Sequence, residues 1–290
     1  MKRKEFLLFT LPSGVVMVSL MLVPLLMLLW FSFNNVSAGA KSNFIGLDNY
    51  AQEIMKPRFW SAVGWTLIYT VITVVLELTL GFIVAYALDR VKWGRAIFIS
   101  LILLPFIITP VVGTLLLRLM FKDPGGFYGW FLGWLSGAVS MDLRVDWFAS
   151  QAASTALLLL YKVWQATPFV ILVFYAGLTS MNREPEESAL IDGANWWQRI
   201  LYVTLPAMRS LILFVSMVAV MDNYREFDSV RVMTEGGNGT ESIMFYNYVV
   251  SFGESALGRG SAVSVLTIIG IALLLAPFLY GTYKEQLEKR

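Results

Sequence analysis

The sequence predicts an all-α polytopic membrane protein: six transmembrane helices, with a helical loop on the cytoplasmic side between the fourth and fifth. Three observations carry this. Hydrophobic residues make up 57% of the 290 residues and charged residues only 14%, against roughly 25% charged in soluble domains. Six stretches approach or exceed the ~20 apolar residues that cross a bilayer. One connector is too apolar and too patterned to be a simple link. The same composition excludes a disordered chain, a disulfide scaffold and, at net charge +2, a nucleic-acid partner. With no Cys and no His, the usual ligands of zinc, haem and iron–sulfur are missing, as are Cys–His and Ser–His machinery.

The stretches run near Phe6–Phe33, Ala62–Leu88, Ala96–Phe121, Ala152–Leu178, Ala207–Met221 and Ala262–Tyr283. They define a single membrane domain over residues 1–290. The first follows Met1-Lys-Arg-Lys4 and exceeds the 7–15 apolar residues of a secretory signal. It therefore reads as an uncleaved span, although Val36-Ser37-Ala38 resembles a cleavage site. The fifth looks short because Asp222, Asn223 and Tyr224 interrupt its outer end. If both termini are cytoplasmic, inside segments hold 12 of the 22 Lys and Arg residues, and the outside loops, about twice as long, hold eight. That bias places both termini inside. The outer segments near 34–61 and 122–151 have room for small helices. The third, 222–261, should turn at Gly236-Gly237-Asn238-Gly239.

The connector spans 181–206. Pro185 with Glu184, Glu186 and Glu187 reads as a first helical turn, where carboxylates suit the positive end of a helix. Gly193 breaks the run, and Trp196, Trp197 and Ile200 mark a second, amphipathic piece. Two short helices with a bend at Gly193 fit this best. Their apolar residues need a cover. Either they lie in the membrane interface, or they dock on a cytoplasmic protein.

These residues also carry a family resemblance. Bacterial ABC importer permeases share a cytoplasmic motif of Glu-Ala-Ala, three residues, Gly, nine residues, then Ile-x-Leu-Pro. This chain has Glu187-Ser188-Ala189, three residues, Gly193, nine residues, then Val203-Thr204-Leu205-Pro206. Ser188 and Val203 are small departures. Ile191-Asp192-Gly193-Ala194 with Trp197-Gln198-Arg199 resembles the carbohydrate branch. So do Phe44-Ile-Gly-Leu-Asp-Asn-Tyr50 and Phe227-Asp228 followed by Val232-Met-Thr-Glu-Gly-Gly237, the last similar to the first subunit of an unlike permease pair. The resemblance implies that residues 181–206 form a coupling loop, with Glu187, Ser188, Ala189, Asp192, Gly193, Leu205 and Pro206 meeting an ATPase. It implies a second permease subunit, a cytoplasmic ATPase dimer and an extracytoplasmic substrate-binding protein as partners. ATP and Mg would sit on the ATPase, leaving this chain without a cofactor and without catalysis. The substrate would be an oligosaccharide, monosaccharide or sugar alcohol. An importer for another small polar solute such as glycerol 3-phosphate, and an ion-coupled carrier, are the alternatives.

The residues themselves offer no chemistry. Gly39-Ala40-Lys41-Ser42 lacks the second Gly of a phosphate-binding loop. No carboxylate pair looks like an acid/base couple. Charges within spans are costly and suggest function, and Glu77, Lys162 and Asp222 qualify. They could form a structural pair, Lys162 with Glu77 or Asp222, or face a wet cavity. Carrying the family's pocket across by motif spacing points to Phe106 and Thr109, to Gln165, Ala166 and Phe169 near a break at Pro168, and to Asp222, Asn223 and Glu226. Aromatic faces would cover sugar rings, and Gln165, Asn223 and Asp222 would bind hydroxyls.

Overall fold

A computed structural model of the chain describes residues 3–37, 42–91, 93–122, 125–139 and 146–288. The Gly39-Ala40-Lys41-Ser42 string, apart from Ser42, and Ala38 of the cleavage-like site lie outside these residues. The described part is helical, with one pair of two-residue strands, β1 (Asn34–Asn35) and β2 (Asn43–Phe44), antiparallel with Asn34 opposite Phe44. The helices are α1 (Arg3–Ser32), α2 (Asp48–Ile54), α3 (Pro57–Arg90), α4 (Arg95–Ile107), α5 (Pro110–Phe121), α6 (Phe127–Val139), α7 (Gln151–Ser180), α8 (Glu184–Ile191), α9 (Trp196–Arg199), α10 (Leu205–Ala207), α11 (Arg209–Tyr224), α12 (Ile243–Tyr248) and α13 (Leu257–Glu288).

Four of the six expected spans are continuous: Leu11–Ser32, Pro57–Arg90, Gln151–Ser180 and Leu257–Lys284. The other two are broken. α4 and α5 meet at 91°, and Trp196–Ala207 meets α11 at 75°. The first break has a plain cause. A residue before proline is pushed out of the helical region, and Thr109, ahead of Pro110, is extended at φ −61°, ψ 139°. Proline position alone does not predict such breaks. The break expected at Pro168 does not occur, because α7 runs through it. Pro168 is buried, and neighbouring groups in a membrane bundle tolerate the lost hydrogen bond. The fifth span also differs. Asp222, Asn223 and Tyr224 do not end it but form the last turn of α11.

By its internal contacts the chain divides into two compact units. One joins Met1–Trp60 with Tyr246–Gly270; the other joins Ser61–Phe245 with Ile271–Arg290. The first unit is pinned by polar side chains. Asn49 Nδ2 donates to the carbonyls of Ser32 and Asn34, both at 2.9 Å. Glu53, fully buried, accepts from Lys56 at 2.8 Å, from Arg259 at 2.5 Å and from the Tyr246 hydroxyl. Burial pushes the Glu53 carboxyl up, but the hydrogen bonds from Lys56, Tyr246 and Arg259 outweigh it and hold it below the ordinary value.

The second unit packs α3 against α7 through Ala85, Tyr86, Val170, Ile171 and Phe174. Gly81 makes the approach possible: a Cβ there would lie 2.5 Å from Val170 Cγ1. Val74 packs with Ala219 and Val220 of α11. The opposite faces expose Ile68, Val71, Val75 and Ile83, as a lipid-facing surface should.

Candidate substrate cavity and coupling loop

The cavity lies where α3, α4, α7 and α11 converge. It holds about 360 Å³ and is lined by Glu77, Phe106, Gln165, Ala166, Phe169 and Asp222, among others. A second hollow of about 300 Å³ is lined by Tyr161, Lys162, Glu226 and Asp228 and shares Gln165, Asp222 and Arg225 with the first. The Phe106 and Phe169 rings stack at 6.1 Å and 21°, which places two aromatic faces from separate helices together.

Lys162 is the electrostatic hub. Its side chain is only 8% exposed, and its Nζ lies 2.7 Å from Asp222 Oδ2 and 3.0 Å from Glu226 Oε2. Of the partners weighed from the sequence, Asp222 is present and Glu77 is not. Glu226, which sequence reasoning had not paired with Lys162, is nearly as close as Asp222. Its other oxygen accepts from the backbone N–H and hydroxyl of Ser229, at 3.1 and 2.8 Å, so Glu226 is buried and held at both oxygens. Asp222 remains 55% exposed and is the carboxylate with room for a ligand. At Asp228, burial first and the Glu226 charge second push the carboxyl up, against the pull of Lys162.

Two expected residues stand elsewhere. Asn223 is fully buried and does not line the cavity. Its Nδ2 donates to the Glu77 carboxylate at 3.2 and 3.3 Å and to the Ala219 carbonyl at 2.9 Å. Being two turns from Val215 and one from Ala219 puts it on the packed face of α11, where its amide meets Glu77. Thr109 is exposed at the α4–α5 break and lines neither hollow as found. Arg225, which lines both hollows, was missed. Its one sequence signal was its place among Asp222, Glu226 and Asp228.

The hairpin of α8 and α9 is built from local rules. The amide of Ala194 donates to the Ala189 carbonyl at 2.9 Å and that of Gly193 to Leu190 at 3.1 Å. This paired pattern closes a helix on a left-handed residue, and Gly193 has φ +80°. Asn195 then opens α9 with a capping box: its side chain accepts from the Gln198 amide at 2.9 Å, and Gln198 Oε1 accepts from the Asn195 amide at 2.8 Å. A π-helical turn, Ile200–Thr204, follows; such turns often mark functional sites. Glu187, Ser188, Asp192, Gly193 and Pro206 are exposed, and Ala189 is half-buried. Ala189, Asp192 and Gly193 line a shallow groove of about 370 Å³. Leu205 differs from the rest, because it packs inward on the Phe174 and Met208 core.

Residues 77–289 match the family described as the binding-protein-dependent transport system inner membrane component. The chain belongs to that family. Among its relatives, a probable ABC transporter permease of Sinorhizobium fredii is 32% identical over 281 residues, covering 95% of this chain and 89% of the relative. The trehalose transport system permease of Mycobacterium tuberculosis is 29% identical, covering 95% and 87%. The trehalose/maltose transport system permease of Thermococcus litoralis is 28% identical, covering 90% and 88%. In fold, the permease superposes on a chain of a bacterial ABC transporter that imports the acidic polysaccharide alginate, with TM-score 0.83 at 18% identity, covering 98% and 96%. The chain is thus an inner-membrane transport component, and its broken helices belong to a known permease fold.

Proposed function

We propose that this permease passes a carbohydrate, delivered by an extracytoplasmic binding protein, into the cytoplasm on energy from a cytoplasmic ATPase dimer. The relatives named for trehalose and maltose support the substrate class. The observation that carries the mechanism is the exposed hairpin: a rigid pair of capped helices presenting Glu187, Asp192 and Gly193 outward, at the spacing of the family's ATPase-docking motif. In this reading a second permease completes the path, ATP and Mg are held by the ATPase, and this chain needs no cofactor of its own. Both termini lie on the ATPase side, as the distribution of Lys and Arg supports.

Within the cavity the chain's own residues have separable tasks. The Phe106 and Phe169 rings present apolar faces to the C–H side of a sugar. Gln165 and Asp222 supply amide and carboxylate groups for hydroxyls. Lys162 neutralises Asp222 and Glu226, so that the acids cost less in a low-dielectric setting. Glycerol 3-phosphate fits less well, because four carboxylates line the two hollows against Lys162 and Arg225.

The test is ATP hydrolysis by the complex in a lipid bilayer with its binding protein, across a panel of sugars and polyols. Stimulation by one uncharged sugar or polyol is expected. Stimulation by glycerol 3-phosphate alone would replace the substrate class, and uptake driven by an ion gradient without ATP would overturn the mechanism.

A further inference from the structure

One carboxylate of the hairpin lies outside the motif and does not face outward. Glu186 is buried, while Glu184 and Glu187 are exposed. It draws guanidinium groups from three places. Arg183, just before α8, reaches Oε2 at 3.2 Å; Arg90, at the end of α3, and Arg199, at the end of α9, reach Oε1 at 3.5 and 3.7 Å. Arg183 also donates through Nη2 to both oxygens of Asp89, at 2.7 Å each. Arg90 lies 4.2 Å over the Tyr86 ring, and Trp196 meets the same ring edge-on at 5.9 Å. The hairpin is therefore tied to the last turns of α3 from both of its helices.

The tie is held by an uneven set of charges. Three guanidinium groups face two carboxylates. Arg90 and Arg183 are half-exposed, so solvent screens their share. Arg199 is not: its side chain is 16% exposed, and its Nε is buried without a hydrogen-bond partner. With Glu186 neutral, Arg183 would keep Asp89, while Arg90 and Arg199 would lose their acid. The other end of the tie matters as well. α3 is continuous from Arg90 to Glu77 of the cavity, 13 residues or about 20 Å along a helix.

We propose that Glu186 is a positioning residue that latches the hairpin to α3, so that a push on the hairpin moves the cavity wall with it. The proposal rests on the coupling role given to the hairpin above. Glu186 itself contacts neither substrate nor nucleotide.

The chain has no cysteine, so a clean spin-label pair can be placed at Ile83→Cys on the lipid face of α3 and Leu201→Cys past α9, both exposed. In the assembled complex, E186Q should broaden the distance between the labels. It should also cut substrate moved per ATP hydrolysed at least threefold, with the ATPase still bound. Because Arg199 acts through Glu186, E186Q/R199Q should be no worse than E186Q alone. An unchanged narrow distance with unchanged transport per ATP would overturn the latch, as would simple additivity of the two variants. A complex that no longer assembles in E186Q but is restored by R199Q would support it, since relief of the unpaired cation is the latch's own signature; assembly lost in both variants would count against it. Failure of the underlying coupling role would show differently, as normal uptake by Gly193→Trp.

Discussion

The α8–α9 hairpin and the cavity between α4, α7 and α11 follow opposite plans. The hairpin is local. Its shape comes from hydrogen bonds between residues three to five apart, and it exposes Glu187, Asp192 and Gly193. The cavity is non-local. Its Phe106–Phe169 stack joins residues on two helices, and the bridge from Lys162 to Asp222 joins residues 60 apart. A local device can be read from spacing, because helix geometry fixes where residues three or four apart point. A cavity cannot, because each helix can rotate about its axis without changing its own pattern. The prediction is that damage to the hairpin uncouples transport with little loss of fold, whereas damage to the cavity changes fold and affinity together.

The largest effect on transport belongs to Gly193→Trp. A Cβ there meets nothing within 4 Å, so the fold bears only the strain of a left-handed residue, about 1–2 kcal/mol. Uptake should fall at least a hundredfold because the docking face is blocked; uptake assays beside a thermal melt check both halves. Lys162→Met comes next. It leaves Glu226 buried without its cation, a loss of roughly 3–5 kcal/mol, visible as a lower melting temperature and reduced assembly. A variant that melts normally and only transports poorly would break the contrast between the two regions. Phe106→Ala should raise the apparent KM for the sugar two- to tenfold, from the roughly 0.5–1.5 kcal/mol that an aromatic contact is worth, with ATPase coupling retained.

The smallest effect on transport is expected at Glu53, outside both regions. Its folded carboxyl titrates below the ordinary value. Its stabilisation is therefore present above the unfolded pKa, about 4.3, and is lost as pH falls through the folded value. Wild type should melt above Glu53→Gln at neutral pH, and the gap should close on acidification. A gap that widened in acid would reverse the assignment.

The same contrast explains what the sequence disclosed. Six spans, the bend at Gly193 and the outward Glu187 were legible because each depends on composition or short spacing. The capping box of Asn195 and Gln198 was equally local and could have been read. The fate of Pro110 and Pro168 was not legible: both look alike in sequence, yet one directly follows a 91° break and the other sits inside a packed helix. Asn223 shows the limit best. It neighbours Asp222 in the chain, but one step along α11 turns it by about 100°, away from Lys162 and onto the buried carboxylate of Glu77. Glu186 and Glu187 divide in the same way, one toward the arginines and one toward solvent.

The most direct test of the account asks what covers the hairpin. Ile191 is 87% exposed at the tip of α8, and a cysteine placed there would be unique in the chain. Carrying a photoreactive maleimide in the assembled membrane complex, it should crosslink to the ATPase subunit in high yield, and Gly193→Trp should abolish that product. Crosslinking to lipid alone, with the ATPase present and active, would return the hairpin to the membrane interface and contradict its role as the coupling element.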